Sequence, residues 1–323
     1  MKLLSFFTGA GGLDLGFEKA GFDIVYANEF DKKIWDTYKY NHKNTELDTR
    51  SIVNIDPETL PDCDGIIGGP PCQSWSEAGA KKGLKDPRGQ LFFNFIRIIE
   101  VKQPKFFLAE NVPGLLAERN ADALSKIMKE FKKCGYNLHY KVLNAKDFGS
   151  AQDRKRVIFI GVRKDIDKTI SELYPDPYSK SKVLSDVILD LKENAVPAIN
   201  TTKPAMTVID NHEYITSTFS SMFMSRNRVR LWNEPSFTIQ AGGRHAPLHP
   251  DSEKMIWHST DKFLFAHPEK VRRLSVRECA RIQGFPDDFK FIYNDVMEGY
   301  KMVGNAVSVD FAYAIAKHLK TKI

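Results

Sequence analysis

The organisation of the chain is decided by the stretch Gly68-Gly69-Pro70-Pro71-Cys72-Gln73-Ser74-Trp75-Ser76. It follows a short apolar run, residues 64–67, which we predict to be a buried strand. The chain must leave that strand abruptly, because proline fixes φ and has no N–H to donate. Cys72 is therefore predicted to lie just past the carboxyl end of a strand, where open α/β sheets bind their ligands. A cysteine there is either a nucleophile with an accessible thiolate or a small buried apolar residue.

Composition bounds the class of protein. The 323 residues are 42% hydrophobic and 27% charged, with a net charge of +6 and four cysteines. These values fit a globular chain with room for two domains, and the charge permits a nucleic-acid partner. The cysteines show neither metal-ligand spacing nor disulfide density, so we expect a reducing, cytoplasmic setting without a metal site. We find no signal peptide and no membrane-spanning stretch in the sequence.

A glycine-rich loop follows the first predicted strand. The residues from Phe7 to Phe17 are typical of a strand, a glycine turn and the start of a helix. Glycines let a ligand approach the backbone closely, and a helix N-terminus supplies free N–H groups. A dinucleotide fingerprint would need glycine at position 14, where Asp14 stands. The loop therefore fits an adenosine-type cofactor without a pyrophosphate better than NAD, and a plain tight turn is the alternative.

Two acidic residues end predicted strands. Glu29 follows the strand 23–28, where an acid usually accepts hydrogen bonds from ribose hydroxyls, although it could also be a charge at the start of the next helix. Glu110 follows the buried strand 104–109. A buried glutamate is costly to leave unpaired, so we interpret it as a candidate proton donor, the alternative being a cap of the next helix.

Arginines recur at two places. Arg154 and Arg156 open the predicted strand 157–161, and we expect one to face a site and the other to serve structure, unless both are simply solvated. Later, residues 225–230 and 241–245 contribute four more arginines with Glu234 as the one nearby acid. Arginine reads guanine in the major groove and also binds phosphate. This pattern favours nucleic acid, and these residues are Arg226, Arg228, Arg230 and Arg244.

Helical periodicity weakens after residue 164 and returns after Pro268. We interpret the intervening, proline-rich stretch as a separate, smaller, loop-rich domain. A helix then begins at Ser275, with Glu278 completing a capping box, and ends at Gly284. A last helix is predicted over residues 310–319.

Taken together, these motifs resemble the C5-cytosine DNA methyltransferases, in order and over the whole chain. The carriers are the glycine loop at Phe7, Pro-Cys-Gln at Pro71, Glu-Asn-Val at Glu110, Gln-x-Arg-x-Arg at Gln152, the Arg277–Pro286 helix and Gly-Asn at Gly304. The resemblance implies an α/β, Rossmann-like catalytic domain (1–163 plus 272–323) that binds S-adenosylmethionine. It also implies a target-recognition domain (164–271) and a last helix that folds back onto the catalytic domain.

The resemblance also assigns roles to residues. Cys72 would be the nucleophile, Glu110 would act on N3 of the cytosine, Arg156 would hold O2, and Arg154 would support it. The implied cofactor-binding residues are Phe7, Gly9, Ala10, Gly11, Gly12, Leu13, Glu29, Phe30, Ser51, Ile52, Gly69, Pro71, Leu91, Asn305 and Ala306. The implied DNA contacts are Ser74, Arg226, Arg228, Arg230 and Arg244, with Arg230 the one best suited to a phosphate or an intradomain contact.

The variable segment is similar to that of bacterial GGCC-specific modification enzymes, through the Met224–Trp232 run and Asn233-Glu234-Pro235. This implies a monomer that methylates the inner cytosine of GGCC in double-stranded DNA. It would protect host DNA from a restriction endonuclease without a stable complex with it. The alternatives are an RNA C5-cytosine methyltransferase and a catalytically silent DNA-binding protein.

One departure concerns the adenine. The family usually has an aspartate just before Ile52, held to contact the adenine amino group, and Ser51 stands there instead. Asp48 is nearby but out of register. Ser308 replaces a frequent proline, and we expect little consequence.

Overall fold

The computed structural model describes residues 1–71, 87–166 and 169–323, and residues 87–90 by their backbone alone. A seven-stranded sheet is built from the first half of the chain. Its strands are β1 (Lys2–Phe6), β2 (Asp23–Asn28), β3 (Glu46–Asp48), β4 (Gly65–Gly68), β5 (Phe106–Asn111), β6 (Tyr136–Asn144) and β7 (Lys155–Arg163). The central strands β1, β4 and β5 are short apolar runs, as burial on both faces of a parallel sheet requires.

The strands lie in the spatial order β3-β2-β1-β4-β5-β7-β6. Neighbours from β3 to β5 are parallel, whereas β7 is antiparallel to both β5 and β6. The direction of winding changes between β1 and β4, and loops at the carboxyl ends diverge at such a point and leave a crevice. The predicted α/β, Rossmann-like architecture is confirmed.

Helices cover both faces of this sheet. The α-helices of the described residues are α1 (Gly12–Lys19), α2 (Trp35–Asn41), α3 (Pro87–Lys102), α4 (Ala121–Lys133), α5 (Leu184–Ile188), α6 (Val276–Ile282), α7 (Val296–Asn305) and α8 (Val309–Lys322). Phe17 of α1 and Phe311 of α8 share one apolar cluster, and Phe95 of α3 and Phe131 of α4 share another. None of these helices is both long and apolar enough to cross a membrane.

The last helix returns to the first. A Cβ on Gly16 of α1 would lie 2.4 Å from the Cβ of Ala312 of α8, so glycine permits this close approach. The helix runs over Val309–Lys322, longer than the predicted 310–319. Its fold-back onto the catalytic part of the chain is as the resemblance implied.

The predicted recognition domain is made of short elements. Besides α5, its described residues form two small sheets, β8 (Val196–Pro197) with β9 (Glu213–Tyr214) and β10 (Ile256–Ser259) with β11 (Lys262–Leu264). Phe223 and Leu248 belong to a small apolar cluster of its own. Leu184 and Ile215, in contrast, pack in one cluster with α6 and α7. The first part of the segment thus shares a core with the C-terminal helices, and boundaries at 163 and 272 stay a prediction.

The capping box of α6 is confirmed. Ser275 Oγ accepts from the N–H of Glu278 at 3.0 Å, and Glu278 Oε2 accepts from the N–H of Ser275 at 2.8 Å. After the helix, Gly284 has φ of +83°, the left-handed conformation that glycine adopts readily.

Candidate active site

A cavity of about 410 Å³ opens at the carboxyl ends of β1, β4 and β5. This is the crevice that the change of winding direction creates, and the volume is within the range of small-molecule sites. Its lining includes these predicted residues: Phe7, Gly9, Leu13, Glu29, Gly69, Pro71, Glu110, Asn305 and Ala306. Segments distant in the sequence therefore meet around one space.

The glycine loop depends on its missing side chains. Gly9 and Gly11 have φ of +56° and +86°. A Cβ on Gly11 would lie 2.1 Å from Nε2 of His42, and one on Gly12 would lie 2.4 Å from the carbonyl oxygen of Val307. A side chain at Gly11 or Gly12 would collide with these neighbours, whereas at Gly9 only the positive φ favours glycine.

Asp14 has a structural task that the sequence did not reveal. Its carboxylate is fully buried and accepts hydrogen bonds from the hydroxyls of Ser5 at 2.5 Å, Tyr38 at 2.7 Å and Thr8. Burial raises the pKa of Asp14, although the charge of His42 and these hydroxyl donors act in the opposite direction. Asp14 thus fixes the end of β1 and the start of the glycine loop.

Glu29 presents a fixed carboxylate to the cavity. Its Oε2 accepts from the N–H of Gly9 at 2.9 Å, and its Oε1 accepts from the N–H of Asp31 at 2.7 Å. Burial raises the pKa of Glu29, while these two backbone donors lower it. An acid in this position after the second strand can accept hydrogen bonds from the hydroxyls of a ribose. With the apolar walls of Phe7 and Leu13, this site fits an adenosine-type group.

Some predicted cofactor residues do not line this cavity. Phe30 is 70% exposed, and Ile52 is buried in the core under α3. Ala10, Gly11 and Gly12 shape the loop from within, and Ser51 and Leu91 are partly buried elsewhere. Their contact with a cofactor stays a prediction.

Asp48 cannot take the place of the missing aspartate without breaking existing bonds. Arg50 donates to it through Nε and Nη2, the latter at 2.6 Å, and the Tyr26 hydroxyl donates at 2.7 Å. Burial raises the pKa of Asp48, but the Arg50 and Tyr26 bonds outweigh it and the net shift is downward. The hydrogen-bonding capacity of the Asp48 carboxylate is therefore already taken up by Arg50 and Tyr26.

Glu110 and Arg156 meet beside the cavity. Glu110 is the fifth residue of β5, so it belongs to the strand and does not cap a helix. Its Oε1 lies 2.7 Å from Nε of Arg156, and both side chains are largely buried. Glu110 also lines the cavity, so its carboxyl can reach a group bound there.

Arg154 serves structure, and it is not part of the cavity wall. Nη1 donates to the carbonyl oxygen of Ile239 at 2.8 Å, and Nη2 donates to those of Gly304 at 2.9 Å and Ala306 at 3.0 Å. Burial lowers the pKa of Arg154 to about 9. The two arginines thus divide their tasks as expected, and Arg154 is placed to support the site through the backbone without touching a ligand.

The predicted nucleophile Cys72 and the predicted DNA contact Ser74 lie outside the described residues. The chain leading to Cys72 is anchored at Pro70, whose carbonyl oxygen accepts from Nδ2 of Asn111 at 2.9 Å. Sequence reasoning did not single out Asn111, although it stands next to Glu110 in the motif.

The four recognition arginines differ in exposure. Arg226 and Arg244 are exposed. Arg230 pairs with Glu234 at 3.2 Å and stacks over Phe237, as expected for an intradomain contact.

Arg228 is only 8% exposed, so its side chain is much less accessible than its implied contact with DNA would suggest. Its Nε and Nη2 donate to the carbonyl oxygens of Phe223 and Met222 at 2.7 and 2.8 Å. Burial lowers the pKa of Arg228, and the charge of Arg226 adds to this. Arg228 still lines a surface pocket of about 240 Å³ with Arg226 and Gln240. Only Nη1 is without a carbonyl partner among the described residues.

The strand order, the glycine loop and Glu29 just after β2 fit an S-adenosylmethionine-dependent methyltransferase. Residues 1–321 match the family of C-5 cytosine-specific DNA methylases, and the chain belongs to that family. It is therefore a DNA cytosine-5 methyltransferase, with S-adenosylmethionine as its methyl donor.

Individual proteins agree with this assignment. The chain is 56% identical to the Type II methyltransferase M.FnuDI of Fusobacterium nucleatum, covering 99% of this chain and 94% of that one. It is 54% identical to the Type II methyltransferase M.NgoPII of Neisseria gonorrhoeae, covering 99% and 95%. A crystal structure of a candidate DNA modification methyltransferase from an Escherichia coli prophage superposes with a TM-score of 0.77 at 24% identity, covering 100% and 99%, and so shares the fold.

Proposed function

We propose that this enzyme methylates the inner cytosine of GGCC in double-stranded DNA and thereby protects host DNA from a restriction endonuclease. The similarity of its variable segment to GGCC-specific enzymes supports the target, and the similarity to Type II methyltransferases supports the setting. The observation that carries the chemistry is the Glu110–Arg156 ion pair, because Glu110 lines the same cavity as Pro71, the last described residue before Cys72.

The reaction needs an activated ring, because carbon 5 of cytosine is a poor nucleophile. The Cys72 thiolate adds to carbon 6, and the electron pair of the 5,6 double bond becomes available at carbon 5. Glu110 gives a proton or hydrogen bond to N3, where negative charge develops, and Arg156 holds O2. S-adenosylmethionine, when bound, would supply the electrophilic methyl group that carbon 5 takes, and S-adenosylhomocysteine would be left as the leaving group. A base then removes the proton from carbon 5, and the thiolate leaves carbon 6, which restores the double bond.

The cytosine must leave the duplex for this chemistry, since carbon 6 and N3 are inaccessible in a stacked base pair. Residues 164–271 would hold the DNA, with Arg226 and Arg244 at the base edges and Ser74 near the flipped base. Arg154 supports the site indirectly, through the carbonyl oxygens of Gly304 and Ala306. A monomer contains all of these groups, and it would act on DNA in the cytoplasm without a stable complex with the nuclease.

Expression in a host lacking the enzyme tests the proposal. Host DNA should become resistant to a nuclease that cuts GGCC, and expression of Cys72→Ser should leave it sensitive. Incubation with matched DNA and RNA substrates would separate the proposal from RNA methylation. Cleavage at GGCC despite methyl incorporation elsewhere would overturn the target, and methyl transfer to RNA alone would overturn the substrate.

A further inference from the structure

Two buried glutamines connect the recognition segment with the cofactor cavity. Oε1 of Gln152 accepts from the N–H of Ile239 at 3.1 Å, and its Nε2 donates to Oε1 of Gln283. Nε2 of Gln283 donates to the carbonyl oxygens of Val303 at 2.8 Å and Ala306 at 3.2 Å. Both glutamines are fully buried. An unbroken row of hydrogen bonds therefore runs from residue 239 to residue 306.

Arg154 joins the same two segments by a second route, through the carbonyl oxygens of Ile239, Gly304 and Ala306. The N–H and the C=O of Ile239 are thus both held by side chains that are linked to Ala306, a residue of the cavity wall. Moving either segment alone would leave buried polar groups unpaired, at about 1–3 kcal/mol for each.

The two segments also touch through their backbones. A Cβ on Gly304 would lie 2.2 Å from the carbonyl carbon and oxygen of Gln240. Gln240 lines the surface pocket together with Arg226 and Arg228, whereas Asn305 lines the cofactor cavity. On one side of this contact Gln240 faces the surface pocket, and on the other side Asn305, the residue after Gly304, faces the cofactor cavity.

We infer that Gln152 and Gln283 are positioning residues that make the binding of cofactor and of target DNA mutually dependent. The inference rests on the proposed function, because it requires that the surface pocket lined by Arg226 and Gln240 contacts DNA. A ligand that orders residues 305 and 306 also orders residues 239 and 240 through the paired amides. The second ligand then binds more tightly, because less conformational entropy of these segments is lost when it binds. The effect on the two binding constants is equal by linkage.

The coupling can be measured directly. The dissociation constant of S-adenosylhomocysteine, the demethylated product of the methyl donor, is determined calorimetrically with the full chain alone and with the chain saturated by a duplex that the wild type methylates. The ratio of the two constants should be roughly 5 to 150 for linked sites. Gln283→Met and Gln152→Met keep similar length without the amide, and each should lower the ratio clearly below that of the wild type, while the Arg154 route keeps it above one. The ratio in the double variant should be no lower than in either single variant, because the two amides act as one unit.

A matched control removes a buried hydrogen bond elsewhere. Tyr136→Phe deletes the hydroxyl that donates to the carbonyl oxygen of Pro104 at 2.7 Å. It should lower stability and leave the ratio as in the wild type. Because the glutamine variants could fail to fold, hydrogen exchange at the N–H of Ile239 is measured in the wild type. S-Adenosylhomocysteine alone should slow it.

Several outcomes would overturn the inference: a ratio of one in the wild type, a ratio retained in folded Gln283→Met, or exchange at Ile239 that ignores the product. Its failure is distinguishable from that of the proposed function. An enzyme that methylates GGCC while Gln283→Met keeps its coupling refutes the inference alone. An enzyme that methylates a different duplex refutes the proposed target, and the coupling is then measured with that duplex.

Discussion

Nε of Arg156 and Oε1 of Glu110 lie 2.7 Å apart, between the adjacent antiparallel strands β7 and β5. The other oxygen of Glu110, Oε2, faces Gly69, where an added Cβ would lie 3.5 Å from it. One carboxylate oxygen is therefore committed to the arginine, while the second points towards the chain that leads to Cys72. In the proposed mechanism, this division would let Glu110 act on the cytosine while it stays paired with Arg156.

Glu110→Gln is expected to reduce turnover far more than DNA affinity. Glutamine retains an oxygen that can accept from Arg156 but has no carboxyl proton to give. General acid catalysis contributes roughly 10²–10⁴-fold, and its loss belongs to the transition state. Single-turnover methylation and DNA binding are compared for the two proteins. A change confined to cofactor or DNA dissociation constants would make Glu110 a binding or structural residue.

Cys72→Ser should abolish methylation and leave specific DNA binding intact. An alkoxide forms far less readily than a thiolate at neutral pH, and loss of a catalytic nucleophile costs roughly 10⁴-fold or more. Wild-type protein should form a covalent adduct with a 5-fluorocytosine duplex, since fluorine at carbon 5 blocks the final loss of a proton. Turnover near the wild-type rate in the serine variant would remove Cys72 from the mechanism.

Ser51→Asp should strengthen cofactor binding. It places a carboxylate in the register where the family has one, and Arg50 already neutralises Asp48 beside it. One added hydrogen bond contributes about 1 kcal/mol, or roughly fivefold in the dissociation constant of S-adenosylhomocysteine. Ser51→Asn is the uncharged control. Unchanged affinity in both variants would mean that other groups hold the adenine amino group.

Arg226→Ala and Arg244→Ala should lower methylation of GGCC and relax selectivity at one base position each. A bidentate arginine–guanine pair discriminates by roughly 1–3 kcal/mol. The control is Arg230→Ala, because Arg230 is engaged with Glu234 and Phe237. It should affect all sites alike. Equal losses on GGCC and on singly altered sites for both exposed arginines, with a flatter salt dependence, would show phosphate contacts instead.

Asp14→Asn should change how stability depends on pH. Burial raises the pKa of Asp14 above its ordinary 3.8, so the folded wild type binds the proton more tightly than the unfolded chain. The free energy of unfolding contributed by Asp14 is therefore greatest below 3.8 and falls as pH rises through the folded-state pKa. Asparagine does not titrate. As pH rises from 3.8 through the folded-state pKa of Asp14, the free energy of unfolding of the variant should therefore increase relative to that of the wild type. Urea unfolding over a pH series measures the difference, and parallel curves would contradict it.

The elements that were predictable from the sequence are those determined by local pattern. The helix α6 begins at its predicted capping box and stops before Gly284. Glu29 and Glu110, each singled out because it follows a predicted strand, both line the cavity.

Local pattern was silent about tasks that depend on hydrogen bonds formed only in the folded chain. In the sequence, Asp14 mattered only because it stands where a dinucleotide fingerprint has glycine. Its hydrogen bond with Tyr38 could not be predicted, because the two residues are 24 positions apart. Arg228 was expected to contact DNA, but two of its side-chain nitrogens donate to carbonyl oxygens of the turn that precedes it. In each case a fold-dependent hydrogen bond overrides what residue type and spacing suggest.

The contact between Gly304 and the backbone of Gln240 has a consequence for exchanging sequence specificity between relatives. A transplanted recognition segment must carry a main chain that follows the same path at residues 239–241, whatever bases it reads. Grafts that preserve Ser236–Ala241 of this protein and replace the flanking recognition loops should remain active chimeras. Grafts whose junctions fall within those six residues should fold and bind DNA yet transfer methyl groups poorly.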